Sequence, residues 1–229
     1  MSDETTKMKE FISFSDIISL LNMSSGFLSI ICSINHNFWL AAILMIIAIM
    51  FDSMDGWVAR KTNRQDDLGF GKNIDSLSDI VSFGVSPAIF IYTYINTTPG
   101  IFQAIVILTS LLIVICGVLR LTRYNAISDK VKGFIGFPIP GIAIIMATYY
   151  LSGLFNIYIA LILAIIVSIA MICNKSYEKF DNLYLLILNT LCLLCIVFQI
   201  PINIGFVNGA ALIVLLTSLT YLFINLIKG

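Results

Sequence analysis

Four aspartates lie within apolar sequence, at spacings that an α-helix would place on shared faces. Asp52 and Asp55 are three residues apart, and Asp75 and Asp79 are four residues apart. Residues three or four positions apart lie on the same side of a helix, so each pair would form one carboxylate face. Because ionised groups are costly in the hydrocarbon of a membrane, their presence in apolar spans indicates a functional site.

Two such faces brought together would hold four negative charges, which repel each other unless cations lie between them. Ligation by oxygen alone is typical of Mg²⁺ or Mn²⁺. The clustered residues include no His or Cys, which argues against zinc. Two ions about 3.5–4 Å apart are suited to in-line phosphoryl displacement. The sequence therefore predicts a site for two divalent ions, ligated by Asp52, Asp55, Asp75 and Asp79.

These aspartates belong to a longer pattern that resembles the signature of the CDP-alcohol phosphotransferases, integral membrane enzymes of phospholipid synthesis. The pattern reads Asp52-x-x-Asp55-Gly56-x-x-Ala59-Arg60, then Gly71-x-x-x-Asp75-x-x-x-Asp79. Ten residues separate Arg60 from Gly71, where about eight are usual in the family, and Gly69 would restore that count. Gly71, however, keeps the helical spacing to Asp75. We therefore place the two additional residues in the loop between two helices, where insertion costs little.

The resemblance implies the chemistry and the roles of several residues. It implies a CDP-activated lipid as donor, CMP as leaving group and Asp79 as the general base that activates the acceptor alcohol. It also implies that the nucleotide and its phosphates contact a second set of residues. This set comprises Gly56, Ala59, Arg60 and Gly71. The small side chains at two of these positions would allow close approach of a nucleotide, although helix packing alone also explains them.

Other segments resemble the phosphatidylserine synthase branch of this family. In the first apolar segment, Asn22-x-x-x-Gly26 is similar to an element that would face the nucleotide, with helix packing as the alternative. Farther along, Arg120-Leu-Thr-Arg123-Tyr-Asn125 is similar to a segment of that branch. A guanidinium can hold a serine carboxylate in bidentate fashion, so we expect these three polar residues to bind serine. Anchoring at the cytoplasmic surface is the alternative for the two arginines.

The predicted function is transfer of a phosphatidyl group from CDP-diacylglycerol or CDP-archaeol to L-serine. An alternative keeps the chemistry and changes the acceptor to glycerol 3-phosphate or inositol phosphate. A carboxylate-based transporter is a more distant alternative. Transporters usually contain inverted repeats and a site near the midplane, whereas the carboxylates here are predicted to lie near one surface. The resemblance further implies a homodimer surrounded by membrane lipid, and nothing in the sequence suggests a nucleic-acid partner.

Composition places the chain among membrane proteins. Of 229 residues, 59% are hydrophobic and 11% charged, with a mean hydropathy of +0.99. We predict an all-α bundle of eight transmembrane helices, preceded by a polar or interfacial segment at 1–13 and forming one embedded domain over 14–229. The predicted spans are 14–34, 38–60, 72–95, 100–121, 134–152, 155–173, 183–200 and 205–227. Two prolines, Pro138 and Pro140, would delay the start of the fifth helix.

The distribution of basic residues predicts the orientation. With eight spans, the thirteen Lys and Arg fall in the terminal segments and in or at the edges of even-numbered loops, and such an excess marks the cytoplasmic side. Both termini are therefore predicted to be cytoplasmic. From that surface, Asp55 and Asp75 would lie about 6–7 Å deep and Asp52 and Asp79 about 12 Å deep, at 1.5 Å per residue. The two carboxylate faces would thus meet at one level near the cytoplasm, where we expect no basic partner.

Overall fold

The computed structural model describes residues 12–61, 69–95, 100–127, 134–177 and 183–228. The predicted N-terminal segment at 1–13 falls almost entirely outside them. The described residues form eight helices and two short β-pairs, which confirms the all-α class. The helices are α1 (Phe14–Ile34), α2 (Phe38–Lys61), α3 (Phe70–Tyr94), α4 (Ile101–Ile127), α5 (Pro140–Leu151), α6 (Ile157–Ile172), α7 (Leu183–Val197) and α8 (Gly209–Lys228).

Five of these helices, α1 to α4 and α8, are long and apolar enough to cross a membrane. The other three are apolar but shorter, at 12, 16 and 15 residues. A bundle with this many apolar helices is a polytopic membrane protein. Its orientation in the membrane stays a prediction.

The largest errors in the predicted bounds are at the end of the fourth span, where α4 continues to Ile127 instead of ending at 121, and at the start of the fifth. Residues 134–139 are not helical: β1 (Phe134–Ile135) pairs antiparallel with β2 (Ser176–Tyr177), and α5 begins only at Pro140. Gly136 has a φ of +81°, and a Cβ there would lie 2.1 Å from the backbone oxygen of Met171. Proline is favoured in the first turn of a helix, where its missing N–H is not needed, so Pro140 marks the start.

The last helix also begins later than expected. The prediction placed its start at residue 205, but a hairpin precedes it, in which β3 (Asn203–Ile204) pairs antiparallel with β4 (Val207–Asn208). Gly205 has a φ of +66°, which glycine adopts without strain in such a tight turn. Helix α8 then starts at Gly209.

Helix α3 is continuous but changes its winding immediately after Asp79. Residues Ile80–Val85 form a π-helical segment, and the N–H of Ser86 donates to the carbonyl of Val81, five residues earlier. Ordinary α-helix resumes over Ser86–Tyr94. Such segments are rare in proteins, and those that occur often lie at functional sites.

Helix α1 packs against both α2 and α3 through small and polar side chains. At Gly26 the two backbones approach so closely that a Cβ would lie 2.5 Å from Cα of Ser82. Farther along the same contact, Ser86 Oγ donates to Ser29 Oγ at 2.9 Å, and Ser29 Oγ lies 2.8 Å from the backbone oxygen of Ala41. Small residues let membrane helices approach closely, and buried hydroxyls then bond across the interface. The structure thus gives Gly26 a packing role.

The opposite end of α2 and α3 is packed with aromatic rings. Phe38 begins α2, and its ring lies 5.4 Å from that of Phe90 and 4.9 Å from that of Tyr94, both edge-to-face. Tyr150 of α5 and Phe155 complete this group, which we call the aromatic cluster. Edge-to-face pairs add stabilisation beyond the burial of ring surface.

Candidate active site

The two predicted carboxylate faces meet in the structure. One carboxylate oxygen from each of Asp52, Asp55 and Asp75 can be chosen so that all three lie within 4.8 Å of one another. The first two come from the end of α2 and the third from the start of α3, so helices joined through residues 62–68 contribute to one cluster. The two carboxylate faces that helical spacing predicted therefore do meet.

The fourth carboxylate, Asp79, lies beside the same cluster. It is within hydrogen-bonding reach of Asp52, and it is buried. Asn22 of α1, also buried, donates from Nδ2 to Asp79 Oδ1 at 3.1 Å. The backbone oxygen of Asn22 in turn accepts from Ser82 Oγ at 2.9 Å. Two carboxylates at such close range repel unless a proton or a cation lies between them.

A second residue of α1 contacts the cluster, and it is one that the sequence patterns do not indicate. Ser19 Oγ donates to Asp55 Oδ2 at 2.7 Å, and both residues are buried. Ser19 precedes Asn22 by three residues, so the two share a face of α1. Helix α1 therefore hydrogen-bonds one carboxylate from α2 and one from α3. A polar stripe at helical spacing on α1 is the signal that could have identified Ser19.

The expectation that no basic residue reaches the carboxylates is wrong. Arg120 of α4 is 6% exposed, and it interacts electrostatically with Asp79 and Asp52. Its guanidinium carbon lies 5.5 Å from the centre of the Tyr124 ring, within range of a cation–π contact. Helix α4 brings a distant arginine to the site by packing, which spacing along α2 and α3 cannot reveal. One guanidinium offsets only part of the charge of four carboxylates.

Arg123, predicted with Arg120 to bind serine, has extensive contacts elsewhere. Its guanidinium donates to the backbone oxygens of Ile135, Met171, Ile172 and Cys173, each at 3.0 Å. It therefore caps the end of α6 and ties it to β1, because the last carbonyls of a helix lack partners within the helix. These contacts give Arg123 a structural role, and its role in serine binding stays a prediction.

Asn125, the third residue predicted to bind serine, joins α4 to α3 near the carboxylates. Its Nδ2 donates to Ser76 Oγ at 2.8 Å, and its backbone oxygen accepts from Lys72 Nζ at 2.9 Å. Its Oδ1 is buried without a hydrogen-bond partner among the described residues. Buried amide oxygens usually have a partner, so an unpartnered one is unusual among the described residues.

The residues predicted to contact the CDP-lipid lie around the cluster. Gly56 and Ala59 are half-buried on the last two turns of α2. Gly71 is buried in the first turn of α3, whereas Gly69 precedes that helix with a φ of +69°. Gly71 therefore shares a helix face with Asp75 and Asp79, as its spacing predicts. The side chain of Arg60 and the loop containing the two additional residues fall outside the part of the chain that the structure describes.

A cavity of about 280 Å³ lies between α2, α5, α7 and α8. Ile49 and Ser53 line it from α2, and Tyr221 lines it from α8. Tyr221 also interacts electrostatically with Arg120. The cavity is thus adjacent to the helix that carries Asp52 and Asp55.

The donor set fits a hard divalent cation. Three carboxylates from two helices approach one another in a partly buried position, and all their donor atoms are oxygen. Holding such charges together without a cation would be costly, even with Arg120 nearby. Asp52, Asp55 and Asp75 are therefore the residues that would hold a metal, with Asp79 beside them.

Comparison with known proteins gives consistent matches. The sequence model of the CDP-alcohol phosphatidyltransferase family matches residues 13–176. An archaetidylserine synthase from Methanothermobacter thermautotrophicus is 48% identical over 177 residues, which cover 77% of this chain and 74% of that protein. A CDP-diacylglycerol–serine O-phosphatidyltransferase from Methanocaldococcus jannaschii is 38% identical over 76% of this chain and 78% of its own length. One of the same description from Helicobacter pylori is 31% identical over 83% of both chains.

Proposed function

Because the chain belongs to the CDP-alcohol phosphatidyltransferase family, we propose that it transfers a diradylglycerophosphoryl group from a CDP-activated lipid to the hydroxyl of L-serine. The observation that carries this proposal is the convergence of three aspartates from α2 and α3, with the fourth beside them. The choice of serine rests on the relatives described above, which are named as an archaetidylserine synthase and as CDP-diacylglycerol–serine O-phosphatidyltransferases.

The proposed cofactor is a pair of divalent ions, Mg²⁺ or Mn²⁺, held by Asp52, Asp55 and Asp75, with Asp79 as a further contact. When bound, such ions neutralise charge on the pyrophosphate and on the leaving group. The all-oxygen donor set supports the choice of metal. The presence of four carboxylates in and beside the cluster supports two ions rather than one.

Asp79 is proposed as the general base. As the serine oxygen forms its bond to the phosphorus that carries the lipid, the bond from that phosphorus to the CMP oxygen breaks. CMP leaves with the electron pair, and Asp79 takes the proton of the serine hydroxyl. The hydrogen bond from Asn22 Nδ2 to Oδ1 would orient this carboxylate for that step.

Arg120 and Asn125 are proposed to hold the serine. The guanidinium of Arg120 lies near Asp79, so a carboxylate bound to it would bring the serine hydroxyl close to the base. The buried Oδ1 of Asn125 would accept a hydrogen bond from the serine ammonium. Arg123 would support this arrangement from the adjacent turn of α4.

The donor lipid is proposed to approach the cluster between α1, α2 and α3, with its phosphates near Arg60. Small residues at Gly56, Ala59 and Gly71 support close approach of the nucleotide. Asn22 is proposed to contact the nucleotide as well, and Gly26 would only border it. The cavity beside Ile49 is apolar enough to hold part of an alkyl chain. The lipid is CDP-diacylglycerol or CDP-archaeol, and the site is proposed to face the cytoplasm in a homodimer.

The test is CMP release by purified protein in lipid–detergent micelles with Mg²⁺ or Mn²⁺. CDP-diacylglycerol and CDP-archaeol are each supplied with L-serine, glycerol 3-phosphate, inositol phosphate or no acceptor. We expect CMP and an equal amount of serine lipid with L-serine, and background CMP with the other acceptors. CMP release with a phosphorylated acceptor but not with serine would support the alternative acceptor. Absence of CMP with every acceptor would contradict the proposal.

A further inference from the structure

Ser19 contacts the carboxylate cluster through a hydrogen bond that the catalytic roles above do not use. It lies on α1, whereas the predicted metal ligands lie on α2 and α3. The side chain is 3% exposed, and its Oγ is 2.7 Å from Asp55 Oδ2. At this distance the hydroxyl donates to the carboxylate in a short, charge-assisted bond.

The hydroxyl of Ser19 has a second acceptor within reach, and comparing the two acceptors indicates which one receives the hydrogen bond. The backbone oxygen of Ser15, one turn earlier, lies 3.3 Å away. Serine in a helix commonly donates to that carbonyl. The carboxylate of Asp55 is both nearer and charged, so it is the stronger acceptor. Ser19 is therefore directed out of its own helix and towards α2.

Neighbouring serines of α1 provide the contrast. Ser24 Oγ donates to the carbonyl of Leu20 at 2.7 Å, and Ser25 Oγ donates to that of Leu21 at 2.9 Å. Both bonds stay within α1, which is the common arrangement for serine in an apolar helix. The contact of Ser19 with a buried carboxylate on another helix thus needs a reason beyond helix formation.

We propose that Ser19 is a positioning residue that fixes the Asp55 carboxylate for metal binding. This inference rests on the proposed function, because it assumes that Asp55 ligates the metal. By donating to Oδ2, Ser19 stabilises the ionised carboxylate and fixes its rotation. One oxygen of Asp55 lies within 4.8 Å of an oxygen of Asp52 and of Asp75, so a fixed rotation would hold these donors in register for one ion. Partners that orient metal ligands in this way are typically worth about 10–100-fold in metal affinity.

The experiment compares four substitutions by titrating Mn²⁺ into the purified protein with CDP-lipid present and measuring free Mn²⁺ by electron paramagnetic resonance. Ser19→Ala removes the donor, and Ser19→Cys replaces it with a weak donor of similar size, which separates loss of the bond from creation of a cavity. Ser19→Thr retains the hydroxyl. Ser24→Ala is the matched control, because it removes an exposed hydroxyl from the same helix.

We expect Ser19→Ala and Ser19→Cys to bind Mn²⁺ about 10–100-fold more weakly than the unaltered protein. Ser19→Thr and Ser24→Ala should bind it with unaltered affinity. In activity assays, the first two variants should need more Mn²⁺ for half-maximal CMP release and regain most of the turnover when Mn²⁺ saturates. A general loss of structure would instead lower turnover at every Mn²⁺ concentration.

Two outcomes would overturn the inference, and they differ in their consequence for the proposed function. If Ser19→Ala and Ser19→Cys bind Mn²⁺ as tightly as the unaltered protein, Ser19 does not position Asp55, and the proposed function stands. If the unaltered protein binds no Mn²⁺ with CDP-lipid present, the metal site itself is wrong and the inference fails with it. A Ser19→Ala protein that fails to fold leaves the Cys and Thr variants to decide.

Discussion

Helices α2 and α3 are held together differently at their two ends. Near Asp52, Asp55, Asp75 and Asp79, they meet through charged groups that repel one another and depend on hydrogen bonds from α1. At the other end, the aromatic cluster joins the same two helices through edge-to-face rings. The first arrangement costs free energy and forms the proposed reaction site, whereas the second stabilises the bundle. The difference indicates that stability and function can be altered separately in this chain.

Of the substitutions considered, Asp79→Asn is expected to cause the largest loss of turnover without loss of stability. The amide cannot accept the serine proton, so turnover should fall by about 10²–10⁴-fold, the usual contribution of a general base. The melting temperature should not fall, because one of four mutually repelling charges is removed. CMP release and thermal unfolding of the same preparation provide the measurement, with CDP-lipid binding as the control for an intact site. Unchanged turnover would refute the assignment of Asp79 as base.

The converse result is expected from Phe90→Ala in the aromatic cluster. Phe90 is fully buried and contacts four other rings, so its truncation should lower the free energy of unfolding by about 3–5 kcal/mol. Mn²⁺ affinity should be unchanged at temperatures where the variant is folded. Tyr92→Ala, which truncates an exposed ring on the same helix, is the matched control. A selective loss of metal affinity in Phe90→Ala would show that the two ends are coupled.

A smaller effect on both properties is expected from Gly26→Ala. The added methyl would lie within 2.5 Å of Cα of Ser82, so α1 must move away from α3. Overpacking of this kind costs about 1–3 kcal/mol. Because Asn22 lies one turn away and contacts Asp79, turnover should fall together with stability. Ser24→Ala again serves as the control. If Gly26→Ala changed neither turnover nor stability, the close packing of α1 against α3 would not support the site as expected.

The smallest effect is expected from Ser86→Ala, which removes the hydrogen bond between Ser86 and Ser29 in the middle of α1 and α3. Hydrogen bonds between membrane helices average about 0.6 kcal/mol, with a maximum near 1.7 kcal/mol. We expect a small decrease in melting temperature with unchanged turnover and Mn²⁺ affinity. Loss of activity without loss of stability would instead show that this contact supports the carboxylate site.

Local patterns predicted the parts of this structure that depend on one helix at a time. The bounds of α1 and α2 and the shared faces of Asp52 with Asp55 and of Asp75 with Asp79 follow from apolar length and helical spacing. The preference for Gly71 over Gly69 follows from the same geometry.

Contacts between helices distant in sequence were not predictable in this way. The approach of Arg120 to Asp79 depends on how α4 packs against α3, and the bond from Ser19 to Asp55 depends on the rotation of α1. Arg123 was not predictable either, because it bonds the last carbonyls of α6 and the backbone oxygen of Ile135, which lies in a strand of only two residues. Composition and spacing carry no information about such pairings.

The π-helical segment at Ile80–Val85 sets the angular phase between the two halves of α3. It contains the additional residue of a wider turn, and one residue corresponds to about 100° of rotation in an α-helix. If a deletion returned this segment to regular winding, every side chain beyond it would swing by that angle relative to Asp75 and Asp79. Ser86 would then turn away from Ser29, and Phe90 from its neighbouring rings. The π-helical segment therefore allows one helix to direct its aspartates to the carboxylate cluster and its aromatic side chains to the aromatic cluster.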